Sequence, residues 1–223
     1  ATYPFTTPLI GRRYVEMKQR AKAAAERLAA LPEGRQAVDH AGVAFWLRRI
    51  NAVAGNAGRP ESVTLPMLEQ LLRELDGIEA AIAQLEAGND PYKGRTGSFV
   101  RAYRSPLTGE LRPHALFVPE QMDAGQAQPL IVLLHGIYGD ERHLFHVLDE
   151  VRDLGAIVYQ AASYRQFDWS DVSAAETWAG LDQVLATYPI DRERIYLIGY
   201  HIGGRGALQL ATDRPGLFAA IAP

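Results

Sequence analysis

The apolar run Arg194-Ile195-Tyr196-Leu197-Ile198 leads directly into Gly199-Tyr200-His201-Ile202-Gly203, and helical texture resumes through Gly204-Arg205-Gly206-Ala207-Leu208-Gln209-Leu210-Ala211. A strand that passes into a helix within so few residues holds its turn residue in a strained backbone conformation. Glycines two positions to either side are then required, because a Cβ there would strike the neighbouring strand or helix. Such a turn needs a sheet for the strand and a helix layer over it, so the stretch confines the chain to α/β architecture.

The preceding residues supply the rest of the sheet. Ser98-Phe99-Val100-Arg101-Ala102-Tyr103-Arg104 alternates like a half-exposed strand, Ser105 to Glu110 is turn-like, and Leu111 to Val118 completes a hairpin. Pro129-Leu130-Ile131-Val132-Leu133-Leu134 is uniformly apolar, as expected of a central strand buried on both faces. Asp140 can cap a helix presenting Leu144, Val147, Leu148 and Val151. Ala156 to Tyr159 reads as another buried strand. A helix over Ala174 to Tyr188 turns Trp178, Leu181, Val184 and Leu185 inward, and Asp168 and Asp171 lie where they can cap it. Leu217 to Ala222 reads as a last strand. Alternating strands and helices imply a parallel sheet with right-handed crossovers.

Residues 1–95 have a different texture. Tyr14, Met17, Ala21, Ala24, Leu28 and Leu31 form one apolar stripe, closed by Pro32 and Gly34. A second helix is expected over 35–54 with Val43, Trp46, Ile50 and Val53 inward. Thr64 can cap a third, with Pro66 in its first turn and Leu68, Leu71, Leu72, Leu75, Ile78, Ile82 and Leu85 at helical spacing. This gives a small helical domain over 1–95 and an α/β domain over 96–223. The helical domain serves packing, or else as a lid or docking surface; His40 in it reads as structural or solvated.

A net charge of -3 argues against nucleic acid or an anionic membrane as the main partner. The absence of cysteine excludes thiolate nucleophiles, disulfides and zinc–thiolate sites. No run is long and apolar enough to span a bilayer. Neither metal nor cofactor is expected, and the compartment stays open between bacterial cytoplasm and secretion.

In parallel sheets the ligand site lies at the carboxyl ends of the strands. Two stretches reach it. One is the turn at His201; the other is His135-Gly136-Ile137-Tyr138-Gly139-Asp140, directly after the central strand. Its glycines let backbone N–H groups face a cleft. Ile137 N–H, with Tyr138 N–H, and Ile202 N–H together would form an oxyanion hole. His135, Phe167 and Trp169 are candidate cleft residues. His135 reads more readily as holding its loop than as a catalyst, and Tyr138 as either a hydrogen-bond donor to substrate or an aromatic wall.

With Leu133-Leu134-His135-Gly136, the Gly199 to Gly204 turn, and Pro189-Ile190-Asp191-Arg192-Glu193-Arg194-Ile195-Tyr196 leading into it, residues from about 99 to 223 resemble the earlier part of an α/β-hydrolase domain. The similarity is to esterases related to prolyl oligopeptidases, feruloyl esterases and polyhydroxybutyrate depolymerases. The segment from Asp90 to Arg104 also resembles bacterial esterases with a helical N-terminal extension. The resemblance implies a carboxylic ester hydrolase acting on a small-molecule ester, with position 201 as nucleophile on the elbow framed by Gly199 and Gly203.

Two departures qualify that implication. The family pattern Gly-x-Ser-x-Gly has its serine replaced by His201. This is compatible with a disabled nucleophile, with an imidazole that takes part directly, or with a metal site shared with His135. The family's catalytic acid and histidine come later in its chain order, and the sheet is incomplete as read. A separate C-terminal fragment completing the fold is therefore expected, because the last strand would leave an apolar edge. A non-catalytic α/β-hydrolase-like binding module is the alternative.

Overall fold

The apolar runs and stripes form helices and strands, each of which must bury its hydrophobic face against another element. A computed structural model describes residues 8–31, 43, 44, 47, 50, 64–122, 126–137, 152–162, 169 and 171–223. The chain divides into two compact units, Ala1–Lys93 and Gly94–Pro223.

In the first unit, α1 (Pro8–Ala29) and α2 (Leu65–Glu86) pack through the stripes read from the sequence. Met17, Ala21, Ala24 and Leu28 meet Leu68, Leu75, Ile78, Ile82 and Leu85, and Val43, Leu47 and Ile50 join the same core. Trp46, Val53 and His40 lie outside the described residues. Thr64 caps α2 by accepting from Met67 N–H (3.4 Å). On the rim Arg20 bridges Asp76 (2.6 Å) and Glu79 (2.8 Å), and Arg27 pairs with Glu86 (2.7 Å). These exposed pairs fix helix register more than they add stability. No described helix is long and apolar enough to cross a membrane.

The second unit is a mixed α/β fold around a six-stranded, mostly parallel sheet in the order β1-β2-β4-β3-β5-β6. Its strands are β1 (Gly97–Arg104), β2 (Leu111–Val118), β3 (Gln128–Leu134), β4 (Ile157–Ala161), β5 (Ile190–Gly199) and β6 (Ala220–Ala222). The helix α3 (Asp171–Thr187) joins β4 to β5, and α4 (Ile202–Asp213) joins β5 to β6. The β1–β2 hairpin is antiparallel, β2 runs antiparallel to β4, and β4, β3, β5 and β6 are mutually parallel. β3 is central and buried, as its uniform apolar sequence requires. The last strand is shorter than the expected 217–222, and all three of its residues are exposed. The helix expected over 140–151 lies outside the described residues.

One expectation is corrected. The alternation in β1 suggested a half-exposed strand, yet residues 99–103 are buried on both faces and Arg101 is only 1% exposed. Register places Arg101 opposite His114, and His114 opposite Ala161 of β4, on the face that carries α3. There Glu176 of α3 accepts hydrogen bonds from the hydroxyls of Tyr103 (2.9 Å) and Ser105. Tyr159 donates to the Thr177 carbonyl (3.1 Å). The polar residues of β1 thus serve a buried network that ties the hairpin to α3.

Candidate active site

Strand register sets the position of the site before any side chain is considered. Leu134 of β3 pairs with both Ala161 of β4 and Gly199 of β5, so three adjacent parallel strands end at one level. The loops leaving them begin with His135, Ala162 and Tyr200, at the end of a sheet where ligands bind in α/β folds.

The turn between β5 and α4 is held tightly. Tyr200 N–H donates to the Leu134 carbonyl (3.0 Å), which fixes the first turn residue to the end of β3. His201 has φ 56° and ψ -117°, and it is the only non-glycine residue with positive φ among those described. A β-carbon makes that conformation costly, so it persists only where the surroundings over-determine it. The surroundings do so. A Cβ on Gly199 would run into the backbone of Gly203 and Gly204, and one on Gly203 into the carbonyl oxygens of Leu134 and His135. Strand end, turn and helix start therefore approach at backbone distance on both sides of His201. Its side chain is exposed.

Gly203 N–H donates to Tyr200 (2.9 Å) and Gly204 N–H to His201 (3.1 Å), while Ile202 N–H, at the head of α4, has no backbone acceptor among the described residues. The loop after β3 lies against the same turn. A Cβ on Gly136 would stand 2.9 Å from the Tyr200 ring and 3.2 Å from the His201 Cβ. Ile137, the next residue, is 39% exposed. Of the expected site residues, His135, Gly136, Ile137, Gly199, His201, Ile202 and Gly203 are thus gathered where β3 and β5 end; Tyr138 and Phe167 lie outside the described residues.

His135 and Trp169 support this arrangement from beneath. His135 is buried, and its Nδ1 donates to the Gly136 carbonyl (2.8 Å), since a carbonyl can only accept. Trp169 is 4% exposed; its Nε1–H donates to the His135 carbonyl (3.2 Å), and its ring lies 5.2 Å from the His135 ring. A Cβ on Gly206 of α4 would come 2.8 Å from the Trp169 Cγ. Trp169 is therefore a wedge that holds the β3 loop to α4, and its ring is turned away from solvent. Among the described residues no group of three His, Cys, Asp or Glu side chains is placed to hold a metal ion.

Sequence reasoning passed over Tyr200. It is 61% exposed, the largest exposure of any aromatic side chain described, and its ring sits 6.4 Å from the imidazole of His201. Its position between two assigned residues was the available signal.

No protein-family model and no curated protein matches the chain. Solved structures similar to it include a thermostable esterase, at 24% identity over 56% of this chain and 40% of that one, with a TM-score of 0.46. They also include fluorophosphonate-binding serine hydrolase F of Staphylococcus aureus, at 18% identity over 56% of this chain and 55% of that one, TM-score 0.48. A ferulic acid esterase matches at 18% identity over 57% and 59%, TM-score 0.45. The chain spans roughly half the length of these proteins, between 40% and 59%.

Proposed function

We propose that the α/β unit is a carboxylic ester hydrolase scaffold of the α/β-hydrolase type, with the Tyr200-His201-Ile202 turn as its nucleophile elbow. The observation that carries this reading is the backbone of His201. A φ of 56° at a residue with a β-carbon is a standing cost of about 1–3 kcal/mol, retained at the mouth of three aligned strands. A turn needed only for packing would relieve it with glycine.

In this reading an ester carbonyl sits over position 201. The amides of Ile137 and Ile202 donate to the oxygen as it takes up negative charge in the tetrahedral intermediate. With serine at 201, attack would give an acyl-enzyme that water then hydrolyses. With His201, serine chemistry is lost, and only the rate supplied by binding and the oxyanion donors remains, unless the imidazole itself attacks. The replacement of serine favours a second reading, a binding module that keeps the elbow for its shape. We further propose that a separate stretch of polypeptide completes the sheet along β6, whose residues are all exposed. Intact-mass and size-exclusion measurements finding these 223 residues alone, soluble and monomeric would contradict that completion.

The function is tested by His201→Ser in the full-length polypeptide, assayed with p-nitrophenyl acetate. Turnover by the serine form alone identifies a disabled esterase. Comparable turnover by both forms assigns the chemistry to imidazole. Silence from both supports the binding module and ends the hydrolase reading.

A further inference from the structure

We propose that Trp169 is a positioning residue of the candidate site, whose indole holds the loop after β3 so that the Ile137 amide is presented beside position 201. The inference rests on the elbow reading above and extends it to a buried side chain that touches no ligand.

Three observations carry it. First, three consecutive carbonyls at the end of β3 are each held by a donor. The Leu134 carbonyl accepts from Tyr200 N–H (3.0 Å), the His135 carbonyl from Trp169 Nε1–H (3.2 Å) and the Gly136 carbonyl from His135 Nδ1 (2.8 Å). The last of these is internal to the loop and would travel with it, so it orients one peptide against the next without anchoring either. The anchor beyond Leu134 is the indole of Trp169, which is 4% exposed and comes from the segment ahead of α3. A buried indole N–H is costly to leave unpaired, so this bond is kept.

Second, the held carbonyls decide where the amides point. In a planar trans peptide the N–H lies opposite the carbonyl. The Gly136 carbonyl is turned towards the buried His135 ring, so Ile137 N–H is turned away from it, and Ile137 is 39% exposed. Among the described residues neither Ile137 N–H nor Ile202 N–H has a backbone acceptor.

Third, the indole touches both elements that carry these donors. Ile202 heads α4, and Gly206 lies one helical turn further along the same face. A Cβ on Gly206 would come 2.8 Å from the Trp169 Cγ, and the centres of the indole and the His135 ring are 5.2 Å apart. One side chain thus meets α4 a turn below one amide and the β3 loop just before the other, and the spacing of the two amides depends on it.

The test is made twice in the full-length polypeptide: with His201→Ser in turnover of p-nitrophenyl acetate, and with His201 in place by amide nitrogen relaxation. Trp169→Phe keeps an aromatic ring and removes the N–H. It is expected to lower kcat about ten-fold and to change KM by less than about two-fold, because a misplaced oxyanion donor weakens the transition state and not the bound ester. The order parameters of the Gly136 and Ile137 amides should fall from about 0.85 to below about 0.6, while those of β3 and β5 stay high. Benzothienylalanine at position 169 keeps the indole's shape and lacks only its N–H, and it takes the place of Phe if Trp169→Phe does not fold. An unchanged kcat, a loss carried wholly by KM, unaltered order parameters, or a loop already mobile in the wild type would each overturn the proposal. If His201→Ser shows no turnover, the ester chemistry fails and relaxation alone decides. Loss of order at Gly136 and Ile137 then keeps Trp169 as the residue that places these amides, and its absence rejects that role. Turnover by His201→Ser that Trp169→Phe leaves undiminished keeps the hydrolase reading and rejects the positioning role.

Discussion

At position 201 the backbone is held where a β-carbon is unwelcome, and the two flanking glycines are what hold it there. His201→Gly removes the β-carbon and with it about 1–3 kcal/mol of strain, against about 0.5–1 kcal/mol lost to the freer unfolded chain. The imidazole is exposed and takes little packing with it. The expected outcome is a gain of about 1 kcal/mol, read as a higher urea midpoint at unchanged slope; a fall would mean that the conformation is not strained. Gly203→Ala should do the opposite. Its methyl meets the carbonyl oxygens of Leu134 and His135, backbone on which β3 and its loop depend, so neither can yield cheaply. A loss of about 3 kcal/mol, or failure to fold, is expected in the same titration. These glycines were legible because their spacing reports a steric requirement of the local chain. The directions of Trp169 and Tyr200 were not, since each depends on a loop or helix brought in by the fold: Trp169 is turned under the β3 loop by α4, and Tyr200 outward beside it.

The hairpin and α3 are joined by a buried network whose polar residues looked like surface in the sequence. Nothing within Ser98–Arg104 shows that Arg101 lies inward. Its neighbour His114 is set by register, and the acceptor for Tyr103 comes from Glu176, more than seventy residues away. Removing that acceptor by Glu176→Ala leaves the buried hydroxyls of Tyr103 and Ser105 without the carboxylate they donate to, although Ser105 still accepts from Leu107 and Thr108 N–H, and should cost about 2–4 kcal/mol by chemical denaturation; Glu176→Gln, which keeps an acceptor oxygen, should cost less. His114 is wholly buried between the rings of Tyr103 and Tyr159, with no hydrogen-bond partner on either nitrogen among the described residues. Burial, and then the charge of Arg101, pushes its pKa down to about 3, against an ordinary value of 6.5. The unfolded chain therefore takes up a proton that the folded chain refuses as pH falls from about 6.5 towards 3. The contribution is fully present above 6.5 and is lost below it, by up to about 1.4 kcal/mol per pH unit. Replacing His114 by Phe keeps an aromatic ring between the tyrosines and should flatten the acid limb of the stability profile by that slope. An acid limb identical to that of the wild type would show that His114 does not resist protonation.

Among the described residues of the α/β unit, α3 and α4 pack against the sheet, and the face bearing Ile131, Leu133, Ala156 and Val158 carries a small apolar cluster. Beside that cluster lies an apolar groove of about 450 Å³, lined by Pro129, Ile131, Tyr196, Ile198 and Ile221 among others. Leu154 at its rim is 64% exposed. Along the groove runs β6, which pairs with β5 alone among the described strands and presents its other edge without a charged side chain. An open apolar edge beside an apolar trough is a template for association with another chain. A polypeptide of these 223 residues expressed by itself is therefore expected to bind the dye 1-anilinonaphthalene-8-sulfonate and to sediment as a mixture of oligomers. Ile221→Lys places a charge both on the edge strand and in the groove. It should reduce dye fluorescence and shift sedimentation towards monomer without lowering stability by more than about 1 kcal/mol, because Ile221 is already 38% exposed. A wild-type chain that is monomeric and leaves the dye dark would mean that this face is covered, and the case for a completing segment along β6 would lose its physical basis.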